Sequence, residues 1–179
     1  MSLAIAAIFR SPVNYFVYTT GTEQLVCRFG SVERRFRAFS GGGRGSIAGR
    51  AEDSAASFDY RLKKVSDERG ERGGPLPPGH YLVHRTEQHG HLGQANWLES
   101  ITAHLRVPTR DFTKAYGFYI HGRGPKGSDG CIVPENRSDR EWVQGAIDRL
   151  GLPIPLWVVL GQQPERGDVL KRVMNPYQA

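Results

Sequence analysis

Residues 118–134 read FYIHGRGPKGSDGCIVP, and the rest of the chain is best understood outward from them. Phe118 to Ile120 has the aromatic and β-branched character of a short strand. Cys131 to Val133 reads as strand again beyond a glycine-rich loop. His121 therefore stands at a strand end, and Cys131 follows it within Ser128-Asp129-Gly130-Cys131. A cysteine attacks through its thiolate, which needs a base or an imidazolium close by. Attack on a carbonyl also needs peptide N–H groups aimed at the developing oxyanion. Gly122, Gly124, Gly127 and Gly130 permit the tight turns that expose such donors. The pattern is that of a cysteine nucleophile with a histidine partner.

Upstream, Asn14 to Thr19 and Gln24 to Phe29 flank Gly21-Thr22 and predict a hairpin. Arg35 to Phe39 alternates and stops at Ser40-Gly41-Gly42-Gly43, a third strand with a turn after it. Between about 44 and 73, and most densely over 50–72, charges of both signs dominate; this is read as a surface insertion. Gly74-Pro75-Leu76-Pro77-Pro78-Gly79 is rigid turn chemistry leading into a strand, His80 to His84. Trp97, Leu98, Ile101 and Leu105 have helical spacing, closed by Pro108. Ser138-x-x-Glu141 reads as a capping box for a second helix that carries Trp142, Val143, Ala146, Ile147 and Leu150 and stops at Gly151. Ile154 to Leu160 reads as a buried strand. The expectation is one mainly β domain over 1–179 with about two short helices.

Composition supports that class. The 179 residues are 39% hydrophobic with three Trp, seven Tyr and eight Phe, enough for a packed core, which excludes wholesale disorder. Twenty-two Gly and eleven Pro favour strands and loops over a helical bundle. The net charge of +6 fits an anionic partner, but Arg is scattered and no nucleic-acid-binding motif is present, so nucleic acid is not expected. No apolar run is long enough for a transmembrane helix. The mildly apolar start, Met1 to Phe9, lacks a basic n-region and a small-residue cleavage site, so synthesis in the cytoplasm without a cleaved signal peptide is expected.

Four motifs in order carry a family resemblance: Ala38-Phe39-Ser40-Gly41, then Gly74 through Gly79-His80-Tyr81, then Phe118-x-Ile120-His121-Gly122, then Ser128-x-Gly130-Cys131-Ile132-Val133. Over roughly residues 36–134 the chain resembles the L,D-transpeptidase (YkuD-type) catalytic domain. The wording AFSG, GPLPPGHY, FYIHG and SDGCIV is most similar to the small L,D-transpeptidase toxins delivered by type VI secretion systems. The resemblance implies a mixed β-sandwich or barrel-like fold. It also implies a cysteine L,D-transpeptidase/L,D-carboxypeptidase acting on peptidoglycan stem peptides, with no metal and no organic cofactor. Cys131 would be the nucleophile, with His121, Ser128 and Gly130 completing the catalytic group; Gly122, Ser40 and Tyr81 would line the substrate site. The partners implied are a cognate immunity protein and the type VI secretion machinery, with delivery to the periplasm of a target Gram-negative cell. Two departures stand out: the His-to-Cys loop is shorter than in most housekeeping members, and Val133 replaces the Arg those enzymes carry two residues after Cys.

Other readings compete. A free Cys is most often a buried structural thiol; the flanking Gly and upstream His-Gly favour catalysis for Cys131, whereas Cys27, mid-strand and without either, reads as core. His80, His84, His89, His91 and His104 invite a zinc site, and hence a zinc peptidase, but no carboxylate accompanies them in a ligand motif. Trp97 and Trp142 read as core. A housekeeping cell-wall enzyme and a non-catalytic cell-wall-binding module remain the alternative functions.

Overall fold

Alternation along the strands sorts the side chains into two faces. The computed structural model describes residues 13–41, 75–102, 112–115, 117–122, 128 and 130–161. Its strands are β1 (Asn14–Thr19), β2 (Gln24–Phe29), β3 (Val32–Phe39), β4 (Gly79–His89), β5 (Gly93–Ser100), β6 (Phe118–His121), β7 (Val133–Pro134) and β8 (Ile154–Val159). One α-helix, α1, spans Arg137–Leu150. Phe16 and Tyr18 of β1, Leu25 and Cys27 of β2, Leu98 of β5, Phe118 and Ile120 of β6, and Leu156 and Val158 of β8 share one buried cluster. Val143 and Ile147 of α1 enter the same cluster, so the helix and one face of the sheet share a core. The intervening residues Tyr15, Val17, Val26 and Trp157 form a smaller cluster on the opposite face. Each fully buried Leu, Ile or Phe contributes about 1.5–3 kcal/mol of transfer free energy, so the first cluster dominates stability.

The strand order is β6-β5-β4-β8-β1-β2-β3-β7. All neighbours pair antiparallel except β1 with β8, which are parallel. A single parallel rung, Ile120 to Ile132, then links the β6 edge to the segment entering β7. His121 N–H donates to the Ile132 carbonyl at 3.2 Å, and Ile132 N–H donates to that of Tyr119 at 2.9 Å. The sheet thus curls until its two edges nearly meet. The mainly β, barrel-like class is the one expected.

The predicted hairpin matches β1 and β2 residue for residue, with Tyr18 paired to Leu25 across it. The helix expected from Trp97 onward is corrected at its start, where Gly93–Ser100 is strand β5; Leu105 and Pro108 lie outside the described residues. Trp97 and Leu98 are adjacent and point to opposite faces, and β4 offers an antiparallel partner along the whole segment, so pairing overrides the helical spacing. Trp97 is consequently half-buried on the outer face, stacked by His84 at 4.8 Å, and not core. Asn96, its neighbour, is fully buried and donates to the His84 carbonyl at 3.0 Å, tying down the β4 irregularity between Val83 and Thr86.

The capping box is a second correction. Asn136 is the N-cap, without a side-chain cap, and Ser138 lies inside the first turn. The Glu141 carboxylate instead accepts from Arg137 at 2.6 Å, one turn away. Gly151 ends the helix as expected: its φ of 67° is left-handed, and its N–H donates to the Ile147 carbonyl. The described residues hold α1 and two 3-10 turns, Thr20–Thr22 and Gly90–Leu92. The charged stretch at 44–73 lies outside the described residues. No helix among them is long and apolar enough to cross a membrane.

Candidate active site

Cys131 enters the fold at the seam where the sheet edges meet. It precedes Ile132, whose rung to Ile120 sets the height of the thiol along β6. The Tyr119 N–H donates to Cys131 Sγ at 3.3 Å. That contact suits a thiolate, since a backbone donor favours the charged form. Alternation on β6 sends Phe118 and Ile120 into the core and leaves Tyr119 and His121 on the other face. Burial pushes the Tyr119 phenol above its ordinary range, and the nearby negative charge of Cys131 adds to the rise, which places thiol and phenol on one side.

His121 is 4% exposed. Its Nδ1 lies 2.6 Å from the Gly122 carbonyl oxygen, which can only accept, so Nδ1 carries the proton and Nε2 keeps its lone pair. Burial lowers the His121 pKa to about 4, against the smaller opposing effect of the Gly122 hydrogen bond. The resting ring is therefore neutral at pH 7. A neutral imidazole with a free Nε2 accepts a proton from a thiol, and can return it to a leaving amine. Positive charge at His91, His89 or Arg140 would lower the His121 pKa further, in that order of effect.

The turn that leads into Cys131 is held from a distance. Ser40, 6% exposed at the end of β3, donates to the Gly130 carbonyl at 2.9 Å and accepts from Leu76 N–H at 2.8 Å. Gly130 has φ 121°, a conformation L side chains rarely adopt, directly before Cys131. Ser128, also buried, donates to the Cys131 carbonyl at 3.2 Å. These contacts bring Ser40, from the end of β3, onto the segment that carries Ser128, Gly130 and Cys131.

Two residues expected at the substrate site have partners within the protein. Tyr81 is 1% exposed, packs in the main core, and donates its hydroxyl to the Pro77 carbonyl at 2.7 Å, which pins the proline-rich turn. Ser40 sits at the site, but both sides of its hydroxyl serve the protein as a clamp. Cys27 is fully buried in the core, as read from the sequence, and burial raises its thiol pKa well above the ordinary value. Among the described residues, no three His, Cys, Asp or Glu are grouped to hold a metal ion. His84 instead pairs with Glu99 at 2.8 Å, and His80 packs against Trp157 at 5.7 Å. His104 lies outside the described residues. Sequence reasoning passed over Tyr119, although its place two residues before His121 on a strand was signal enough for a shared face. It also passed over Arg140, for which no local signal exists.

No protein-family model matches the chain, and no curated protein sequence matches it. Solved structures do resemble it. The folds include those of L,D-transpeptidases. Mycobacterium tuberculosis L,D-transpeptidase 1 aligns at 16% identity and TM-score 0.42, over 83% of this chain and 62% of that one. A second M. tuberculosis L,D-transpeptidase aligns at 18% identity and TM-score 0.45, over 86% and 59%. Bdellovibrio bacteriovorus Bd1075 aligns at 14% identity and TM-score 0.49, over 92% and 54%. The chain thus spans about three fifths of the mycobacterial chains it matches. At this distance the chemistry must be read from the residues.

Proposed function

We propose that this chain is a cysteine L,D-transpeptidase/L,D-carboxypeptidase acting on peptidoglycan stem peptides. The observation that carries the reading is the seating of Cys131 Sγ on the Tyr119 N–H, on the strand that ends in a neutral, Nδ1-anchored His121. The motif resemblance across residues 36–134 supplies the substrate class. In this reading His121 Nε2 takes the Cys131 thiol proton as sulfur bonds to the carbonyl carbon of the diaminopimelate at the third position. Backbone N–H groups around Gly130 and Cys131 stabilise the tetrahedral oxyanion. Its collapse breaks the C–N bond, the imidazolium gives its proton to the departing D-alanine amine, and a thioester remains. Water resolves the thioester to a tripeptide; a D-amino acid amine resolves it to an exchanged tetrapeptide.

The test is incubation with purified muropeptides. Turnover abolished by iodoacetamide and by Cys131→Ala, and unaffected by EDTA, supports the reading. Loss with EDTA alone favours a zinc peptidase, and binding without turnover favours a cell-wall-binding module.

The biological setting proposed is an antibacterial type VI effector, on the strength of the motif wording. Expression in the cytoplasm should be tolerated, whereas fusion to a periplasmic signal peptide should cause swelling or lysis that requires Cys131 and is relieved by an exported immunity protein. Equal tolerance of both forms, with unchanged muropeptides, would leave a housekeeping enzyme as the better description.

A further inference from the structure

Arg140 lies in the first part of α1, half-buried, and its guanidinium fills the space that a side chain at residue 122 would need. Nη1, Cζ and Nε of Arg140 are all neighbours of that position, so the cation is laid directly over Gly122. Gly122 is also the residue whose carbonyl anchors the His121 ring. A guanidinium brings five N–H donors in a rigid planar fork. Among the described residues none gives this fork a hydrogen bond or an ion pair. Glu141, its sequence neighbour, accepts from Arg137 at 2.6 Å; the Arg140 charge bears on it too, less than that of Arg137 and without a hydrogen bond. The other charged groups bearing on His121 are His91 and His89, again potential cations, with no carboxylate among them. A half-buried guanidinium with no hydrogen-bond partner among the described residues, laid beside His121, is an arrangement that an anion completes.

We infer that Arg140 is the specificity residue of this site, its guanidinium binding a carboxylate of the peptide whose carbonyl Cys131 attacks. The inference rests on the reading above for the identity of that peptide, and on the geometry for the anion. A stem tetrapeptide offers two carboxylates near the scissile bond: the free one on the diaminopimelate side chain and the one on the terminal D-alanine. Either would meet the fork in bidentate fashion, and selective amidation tells them apart. Gly122 has a structural share in this role, because any side chain there would push the guanidinium aside.

The experiment compares wild type, Arg140→Gln, Arg140→Lys and Gly122→Ala on three synthetic tetrapeptides: the free acid, the form amidated on diaminopimelate, and the form amidated on D-alanine. A charge-assisted bidentate contact carries about 1.5–3 kcal/mol, so Arg140→Gln should raise KM on the free acid by roughly tenfold to a hundredfold. The kcat should stay within about twofold, because uniform binding is lost and not transition-state stabilisation. Arg140→Lys should recover part of the loss, and Gly122→Ala should reproduce part of it. On one amidated peptide wild type should be weakened by the same factor and Arg140→Gln should weaken it no further; that peptide names the carboxylate. Equal factors for Arg140→Gln on all three peptides, or no change on any, would overturn the assignment. The same peptides titrated calorimetrically against Cys131→Ala and Cys131→Ala/Arg140→Gln read binding without turnover. Absence of wild-type turnover with a retained Arg140-dependent affinity would sink the catalytic reading alone, and turnover without that dependence would sink this one alone.

Discussion

Ser40 and Gly130 are joined across 90 residues of sequence by a 2.9 Å hydrogen bond from the serine hydroxyl to the glycine carbonyl. The same hydroxyl receives the Leu76 N–H, so one oxygen ties the end of β3, the proline-rich turn before β4, and the residue preceding Cys131. Three segments with no local reason to meet are thereby fixed against one another.

Ser40→Ala leaves a buried carbonyl and a buried N–H without that partner, which costs about 1–3 kcal/mol. The urea midpoint should fall accordingly, and kcat/KM should fall further than stability does, because the turn carrying Cys131 is released. A variant with wild-type turnover at its lowered midpoint would show that the clamp serves folding only.

Cys131→Ala should abolish turnover with little change in the midpoint, since the thiol is half-exposed and lies outside the buried cluster. Cys27→Ala should do the opposite, keeping turnover while losing about 1 kcal/mol from a fully buried position. The pair is read by activity and denaturation side by side. A dead, well-folded Cys27→Ala beside an active Cys131→Ala would reverse the assignment.

His121 should set an acid limit to stability. Its folded pKa is lowered to about 4, below the ordinary value of 6.5. Between those values the unfolded chain holds a proton that the folded chain refuses, so stability falls as pH drops through this window and levels off beneath it. The full loss is on the order of 3 kcal/mol. Urea midpoints from pH 7.5 to 4 should slope for wild type and slope less for His121→Gln, the other histidines being common to both. Parallel curves would mean that the ring is not buried neutral.

Gly130→Ala should be costly out of proportion to its size. At φ 121° a Cβ strains the backbone by about 1–3 kcal/mol. Relaxation of that strain would move the adjacent Cys131, so thiol alkylation by iodoacetamide at neutral pH should slow as well as the midpoint fall. Unchanged alkylation would place the strain elsewhere.

The sequence by itself determined the parts of this protein whose cause is local. The β1–β2 hairpin followed from two β-rich runs around Gly21-Thr22, and the stop of α1 from Gly151. The proposed thiol chemistry also starts from local signals, because His-Gly and Gly-Cys carry their meaning in adjacent residues. Trp97 went astray because spacing at 97, 98, 101 and 105 satisfies a helix equally well until a partner strand exists; β4 supplies it. The capping box failed for a similar reason, since the competing Arg137 ion pair depends on where the helix starts. Tertiary structure alone decided which residues surround the thiol. Ser40 reaches Gly130 and Arg140 covers Gly122 only because the sheet closes through the Ile120–Ile132 rung and brings α1 across its end. Closure is a property of eight strands pairing in one order, and no window of sequence short enough to read by pattern contains it.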